Sequence, residues 1–518
     1  MDSPTKSIDL ERKSSSQCVD SEIIQFTRDE EVITFPFLTP PAHPCSKNKL
    51  LRRFDLLILP PLAFIYLCNS LDRGNVANAK TAGWDKDIHL HGNQYYLLVM
   101  TFYIPFCLFG TPLALLAKRF SAARVIPALM IIFLRLDHDE HGEQSVADIS
   151  TEVFAIRWFL GMAESPMLPA VVYYLSTFYK RDELASRIGL FYAASSISGA
   201  FSGLLSYGVF HINGTRYKNW QYLFWIEGTV TVLFAAFAFY WLPRTPSTWR
   251  MLSERQKAIA RSRILSDSST VIDEKVDVKG SFAPFKDPLY WVWILISISL
   301  GVPLASVNNF LPIIIASFKY SVVKTNLLTV APNVCGTLVL LGLTFSSDYF
   351  RERSIRALFD PSNMPDSCIP VLTALVGFIV LGCIDTLKHL GVAYFACFLI
   401  TMGAFAPSVL VATWYSNNTT QESKRAVVAA VMVAFANSAG LISTNVFRAQ
   451  DEPKYVPALA TSAAFGGLCF ILVASTGIWM RRENARRNRE QGVHLQAKDV
   501  DTSTLADGPK SPLFRYMY

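Results

Sequence analysis

Arg157-Trp158-Phe159-Leu160-Gly161-Met162-Ala163-Glu164-Ser165-Pro166 places an arginine and a glutamate seven residues apart inside an apolar run over residues 153–179. Seven residues make two helical turns, so both charges fall on one face with Gly161 between them. A run of this length crosses about 30 Å of hydrocarbon as a helix. Each charged side chain at the centre of such a helix costs roughly 2.5–3.5 kcal/mol on insertion scales, so the pair needs a reason to be there. Either it ties helices together as a buried ion pair or it does chemistry.

A second such place is Leu71-Asp72-Arg73-Gly74-Asn75-Val76-Ala77-Asn78-Ala79, which continues an apolar run over residues 54–71. Helical spacing puts Asp72, Asn75 and Ala79 on one face with Arg73 and Asn78 close by. Small and polar groups would then line a cavity beside a carboxylate and a guanidinium. The alternative is a helix end at the membrane surface, where Asp72 and Arg73 are simply solvated.

Working outward, further apolar runs lie at 95–117, 123–134, 188–210, 221–242, 289–315, 325–345, 369–385, 391–415, 426–447 and 458–480. The composition requires lipid around them. Of 518 residues, 51% are hydrophobic and 17% charged, against about 25% charged in soluble domains. The formal net charge of +7 comes from short Lys/Arg clusters between the runs and forms no single basic stripe, which argues against a nucleic-acid partner. Cys68, Cys107, Cys335, Cys383, Cys397 and Cys469 sit inside apolar runs as small hydrophobes, no metal spacing appears, and no cofactor is expected.

The predicted fold is therefore an all-α membrane protein of 12 transmembrane helices in two pseudo-symmetric six-helix halves. Its expected domains are a disordered cytoplasmic N-terminal tail (1–53), an N-terminal half (54–242), a cytoplasmic central loop (243–288), a C-terminal half (289–480) and a cytoplasmic tail (481–518). Basic residues crowd alternate connections, among them Arg52 and Arg53, Lys118 and Arg119, Lys180 and Arg181, Arg351 and Arg353, and Arg481 and Arg482. By the positive-inside rule both termini face the cytoplasm. The third run breaks the regularity: after Leu134 the chain reads Arg135-Leu136-Asp137-His138-Asp139-Glu140-His141, too polar for lipid. Either ten to thirteen apolar residues cross by local thinning of the bilayer, or the interruption at 135–152 is not functional sequence.

Taken together, Leu71–Ala79, Arg157–Pro169, Tyr173-Tyr174-Leu175-Ser176-Thr177-Phe178-Tyr179-Lys180-Arg181, Trp220–Gly228, Ser347-Asp348 with its arginines, and Trp414-Tyr415-Ser416-Asn417-Asn418 before Lys424-Arg425 carry a family resemblance. Over residues 52–490 the chain resembles the major facilitator superfamily, and within it the anion:cation symporter branch of fungal allantoate and vitamin permeases. That resemblance implies proton-coupling roles for Asp72 and Glu164, and substrate-anion binding by Arg73, Arg157 and Asn75. It implies cytoplasmic gating roles for Lys118, Arg119, Asp348 and Arg351. An arginine fork suits a carboxylate, and protonating a buried acid removes a charge that would oppose closure of the cavity. Pro112-Leu113-Ala114 departs from the family's usual Pro-Ser-Asn at that place.

The function expected is proton-coupled uptake of a small organic anion, a carboxylate nutrient or vitamin, by a monomer in the plasma membrane. Two alternatives are export of a drug or secondary metabolite by proton antiport, and nutrient sensing without transport. Antiporters of the resembled superfamily usually carry a Gly-Pro-Gly-Gly type signature in the fifth span, whereas Ser195–Gly203 has no proline, which favours uptake. An enzyme is not expected: the eight histidines lie outside the span cores, and no zinc spacing, nucleophile elbow or phosphate loop stands out. Asn213-Gly214-Thr215 is a possible glycosylation sequon close to the membrane.

Overall fold

The computed structural model describes residues 44–134, 146–179, 181–212, 217–267, 282–350, 368–419, 422–495, 500 and 511–517. Among these residues the regular elements are helical. In order they are α1 (Pro44–Leu57), α2 (Leu59–Thr81), α3 (Trp84–Asp87), α4 (Gln94–Phe120), α5 (Ala122–Leu134), α6 (Val146–Glu164), α7 (Met167–Ser176) and α8 (Arg181–Val209). Then come α9 (Asn219–Trp241), α10 (Glu254–Asp267), α11 (Pro288–Ala316), α12 (Val322–Phe350), α13 (Cys368–Cys383), α14 (Leu390–Asn417), α15 (Glu422–Val446) and α16 (Val456–Gln491).

The helix ends follow local chemistry. Pro288 opens α11 where its missing N–H costs nothing, and the Asp287 carboxylate accepts from the Leu289 N–H at 2.9 Å. Gly492, at φ 67°, closes α16 in the left-handed turn that glycine takes without strain. Among the described residues nine helices are long and apolar enough to cross a membrane. With the shorter apolar α5 and α13 and the broken pair α6–α7, the arrangement accords with twelve crossings. The molecule is a multi-pass membrane protein. At 13 residues, α5 is only about 20 Å long, so the third crossing is short here as well. Residues 135–145 lie outside the described residues, while 146–152, expected as part of the polar interruption, form the opening turns of α6.

The expected 1–53 tail gives way to helix at Pro44, ahead of the predicted boundary. The cause is an apolar stripe that extends backwards: Leu50, Phe54 and Ile58 recur every fourth residue and are fully buried. Phe54 stacks on Trp249 (centroids 5.7 Å, interplanar 21°) and meets Phe178 and Tyr179 edge-on. The connection between halves is also partly ordered. Its helix α10 is held by Arg53 Nη1 donating to Gln256 Oε1 (3.3 Å) and by the Arg263–Glu183 ion pair, while Arg187 grips Asp55 with both Nε (2.8 Å) and Nη2 (2.9 Å).

In the expected 481–518 tail, residues 511–517 return to the bundle. Asn418 accepts from the Met517 N–H (3.0 Å) and donates to its carbonyl (2.9 Å); Asn484 does the same to Tyr516 (2.9 and 2.8 Å). Trp414 Nε1 donates to the Met517 carbonyl (2.7 Å), and Arg515 is anchored by Asn488 and Gln491. This segment clasps the end of α14 to α16.

The two sets of helices meet along α8 with α12, α4 with α15, and α2 with α11. Close approach depends on small residues. A Cβ at Gly161 would overlap the Phe102 carbonyl of α4, and one at Gly440 would enter the Tyr103 ring.

Candidate transport site

Pro166 and Pro169 supply no N–H groups, so the fourth crossing cannot run as the single helix that its apolar pattern predicts. α6 stops at Glu164, two residues turn, and α7 starts at Met167. The break brings Glu164 to the centre of the bundle, where discontinuous helices characteristically build ligand sites. Its carboxylate, with the side chain 4% exposed, receives Arg73 Nε at 2.7 Å on Oε2. Oε1 has no donor of good geometry among the described residues, with the Asn69 amide as its neighbour.

Arg73 is held on three other sides. Asn69 Oδ1 accepts from Nη2 at 3.4 Å, and the guanidinium lies 5.3 Å from the Phe102 ring centroid and 4.8 Å from that of Phe106. The aromatic faces stabilise the cation without neutralising it. Nη1 makes no hydrogen bond among the described residues, and Arg73 and Glu164 both line a cavity of about 140 Å³. Tyr66, Phe106, Tyr192 and Ser195 are also on the wall on this side; Ser297, Asn308, Phe405, Ser408, Tyr415 and Asn437 face it from α11, α14 and α15.

The other residues singled out from sequence fall elsewhere. The stripe of α2 that faces the cavity contains Tyr66 and Arg73, one step round the helix from the expected Asp72–Asn75–Ala79 face. Asn75 packs instead on α8, its Oδ1 accepting from Ser202 Oγ at 3.0 Å, and Asn78 Nδ2 donates to the same hydroxyl. The reason is steric and polar: α8 offers a row of serines, and Ser70 likewise meets Ser195 (2.9 Å) and Ser198 (2.8 Å). Arg157 is buried and does not line the cavity; its Nη1 donates to the Asp72 carbonyl at 3.3 Å. Asp72 is absent from the cavity lining as well. Arg119 is exposed at the end of α4, over the neighbouring Phe120. Arg351, Asn213 and the side chains of Lys118 and Asp348 lie outside the described residues.

Several groups were passed over in the sequence. Asn308 and Asn437 carry no charge and no spacing signal in runs that otherwise read as apolar. Glu227 could have been found by the test that picked out Glu164: it is a carboxylate within the apolar run 221–242, and it is buried in α9. Among the described residues no group of three His, Cys, Asp or Glu side chains could hold a metal ion.

At the end of the bundle where α2 finishes, three layers close the cavity. Asn309 Nδ2 donates to Tyr103 OH at 2.6 Å. Above it Phe310 stacks on Phe447 (4.0 Å, 16°), flanked by Tyr96 and Tyr455. Outermost, Glu452 Oε1 accepts from Tyr455 OH (2.7 Å), Tyr96 OH (3.3 Å) and Lys80 Nζ (3.4 Å). Partial burial raises the Glu452 carboxyl, but the Tyr455 hydrogen bond and the Lys80 charge outweigh it and hold the group below the ordinary carboxylate range.

A sequence profile described as Major Facilitator Superfamily matches residues 62–444. An uncharacterized transporter of Schizosaccharomyces pombe is 48% identical over 497 residues, covering 95% of this chain and 94% of its own. The high-affinity nicotinic acid transporter of Saccharomyces cerevisiae is 28% identical over 509 residues, covering 98% and 90%. The crystal structure of a D-xylose-proton symporter superposes with a TM-score of 0.61 at 14% identity, covering 81% of this chain and 97% of that one.

Proposed function

The chain belongs to the Major Facilitator Superfamily and is a secondary transporter rather than an enzyme, and we propose that it takes up a small organic anion together with a proton, as members of the anion:cation symporter branch do. The observation that carries this reading is the Arg73–Glu164 pair on the wall of the cavity. A carboxylate entering the cavity competes with Glu164 for the Arg73 guanidinium. When Glu164 takes a proton, Arg73 is released to the incoming anion and the net charge of the site is unchanged. Neither proton nor anion is then favoured alone, which is the condition for coupling.

Asp72 and Arg157 serve behind this pair, Arg157 fixing the α2 backbone through the Asp72 carbonyl. Asn75 positions α2 against α8. The six-helix halves 54–242 and 289–480, joined by 243–288, rock about the cavity, and the closed α2 end is the extracellular one, with both termini cytoplasmic in the plasma membrane. The likeness to a relative named for nicotinic acid supports a carboxylate nutrient.

The test is uptake of labelled carboxylates, nicotinate among them, by cells expressing the chain at pH 5 and pH 7.5. Faster uptake of one acid at pH 5, with the pH effect abolished in Glu164→Gln, is the expected result. Equal uptake at both pH values, or a Glu164→Gln variant that keeps the pH response, overturns it.

A further inference from the structure

Helix α11 is the most thoroughly buried of the candidate spans, yet one polar side chain in its last third stands exposed. In the run Ser306-Val307-Asn308-Asn309-Phe310, Ser306 is satisfied by Ser443 and Ser462 at 2.9 Å each, and Asn309 by Tyr103. Asn308 is the exception: it is exposed to the cavity and has no hydrogen-bond partner among the described residues. An amide in a membrane span is normally buried against a partner helix that satisfies it. Here packing does not account for it.

The opposite walls of the cavity also differ in kind. Arg73 and Glu164 are the charges on one side; the residues contributed by α11, α14 and α15 include no Asp, Glu, Lys or Arg. Resting on the anion reading above, we propose that Asn308 recognises the end of the substrate remote from its carboxylate, and that the substrate is a monocarboxylate with a neutral hydrogen-bonding group at that end. A second carboxylate would be desolvated on the far wall without a counter-charge. A carboxamide supplies two donors and an acceptor, so it fits a ring nitrogen, a carbonyl or a hydroxyl. A wholly apolar far end leaves it unsatisfied.

The test is binding to the purified full-length chain, followed by ligand-induced thermal stabilisation, with nicotinate, benzoate and pyridine-2,5-dicarboxylate as probes. Benzoate replaces the ring nitrogen by CH at constant shape; the third acid adds a second charge. The wild type is expected to bind nicotinate about fivefold to tenfold more tightly than benzoate, the worth of about one neutral hydrogen bond, and the dicarboxylate least. Asn308→Ala should erase the preference by weakening nicotinate alone, and Asn308→Gln should restore part of it. Because Asn308 has no hydrogen-bond partner among the described residues, its truncation orphans none of them, and unchanged melting of the unliganded variant checks this. An equal loss for nicotinate and benzoate, a preference that survives Asn308→Ala, or tighter binding of the dicarboxylate overturns the proposal. Binding of none of the three by wild type, together with absence of uptake of any carboxylate, overturns the anion reading instead. Arg73→Gln separates the two, since it should abolish binding of all three acids.

Discussion

Neutralising Glu452 should release the closed end of the cavity by an amount that can be worked out from its contacts. Among the described residues three groups donate to this carboxylate, but Tyr455 lies on the same side of the bundle and keeps its bond when the halves part. Only Tyr96 at 3.3 Å and Lys80 at 3.4 Å bridge to α4 and α2. Both bonds are long, and the Glu452 side chain is 49% exposed, so solvent screens the pair and it belongs with ion pairs worth about 0.2–1 kcal/mol. Adding a weak Tyr96 bond, Glu452→Gln should cost the closed state about 1 kcal/mol, a shift of about fivefold in the closed-to-open equilibrium. The Tyr96–Tyr455 bond at 3.1 Å and the aromatic layer persist, so opening is eased but not forced. Spin labels at the exposed His91 and Lys388 report the separation of the two sides at this end. The expected result is growth of the long-distance population in Glu452→Gln, a similar growth in Lys80→Met, and less than their sum in the double variant. Strictly additive effects, or an unchanged distance distribution, would refute the reasoning. The sign with pH also follows. The Glu452 carboxyl is held below its ordinary 4.5, so its contribution to closure is complete at neutral pH and is lost only as pH falls through that lowered value. Acidification to pH 5 leaves this contact in place, and pH effects in that range must come from elsewhere.

Two further outcomes are expected. Gly161→Ala would set a methyl group on the Phe102 carbonyl and should cost about 1–3 kcal/mol by forcing α4 and α6 apart, visible as a lower melting temperature than that of Gly208→Ala, where the added Cβ meets nothing within 4 Å. Asn418→Ala removes the side chain that both donates to and accepts from Met517; limited proteolysis should then cut within 511–517 faster than in wild type, and an unchanged rate would mean that the Asn484 contacts suffice.

Hydropathy carried most of the fold, because lipid imposes one rule on every span: about twenty apolar residues with the charges outside. The departures are places where that rule is silent. Leu50, Phe54 and Ile58 belong to a stripe too diluted by Lys47, Lys49, Arg52 and Arg53 to read as a span, yet sufficient for a helix packed on Trp249. At Glu164 the prolines were visible, but whether they kink or break a helix depends on the neighbours that receive the freed carbonyls. The site was half legible. Charge in an apolar run marks Arg73 and Glu164, since burying them is costly. Which of Asp72 and Arg73 turns to the cavity depends on the rotation of α2, set by serines of α8 more than a hundred residues away. Asn308 left no mark, because an amide is cheap enough in a span to pass for packing.

The clasp formed by residues 511–517 has a bearing on biosynthesis. Its partners lie at the end of α14 and on α16, and the segment itself follows α1 to α16 in chain order, so the contact can be made only after these helices have been synthesised. Until then Trp414, Asn418 and Asn484 present an unfilled seat. The contact is thus a late stitch, and its presence marks chains in which the end of α14 and the end of α16 have already been brought together.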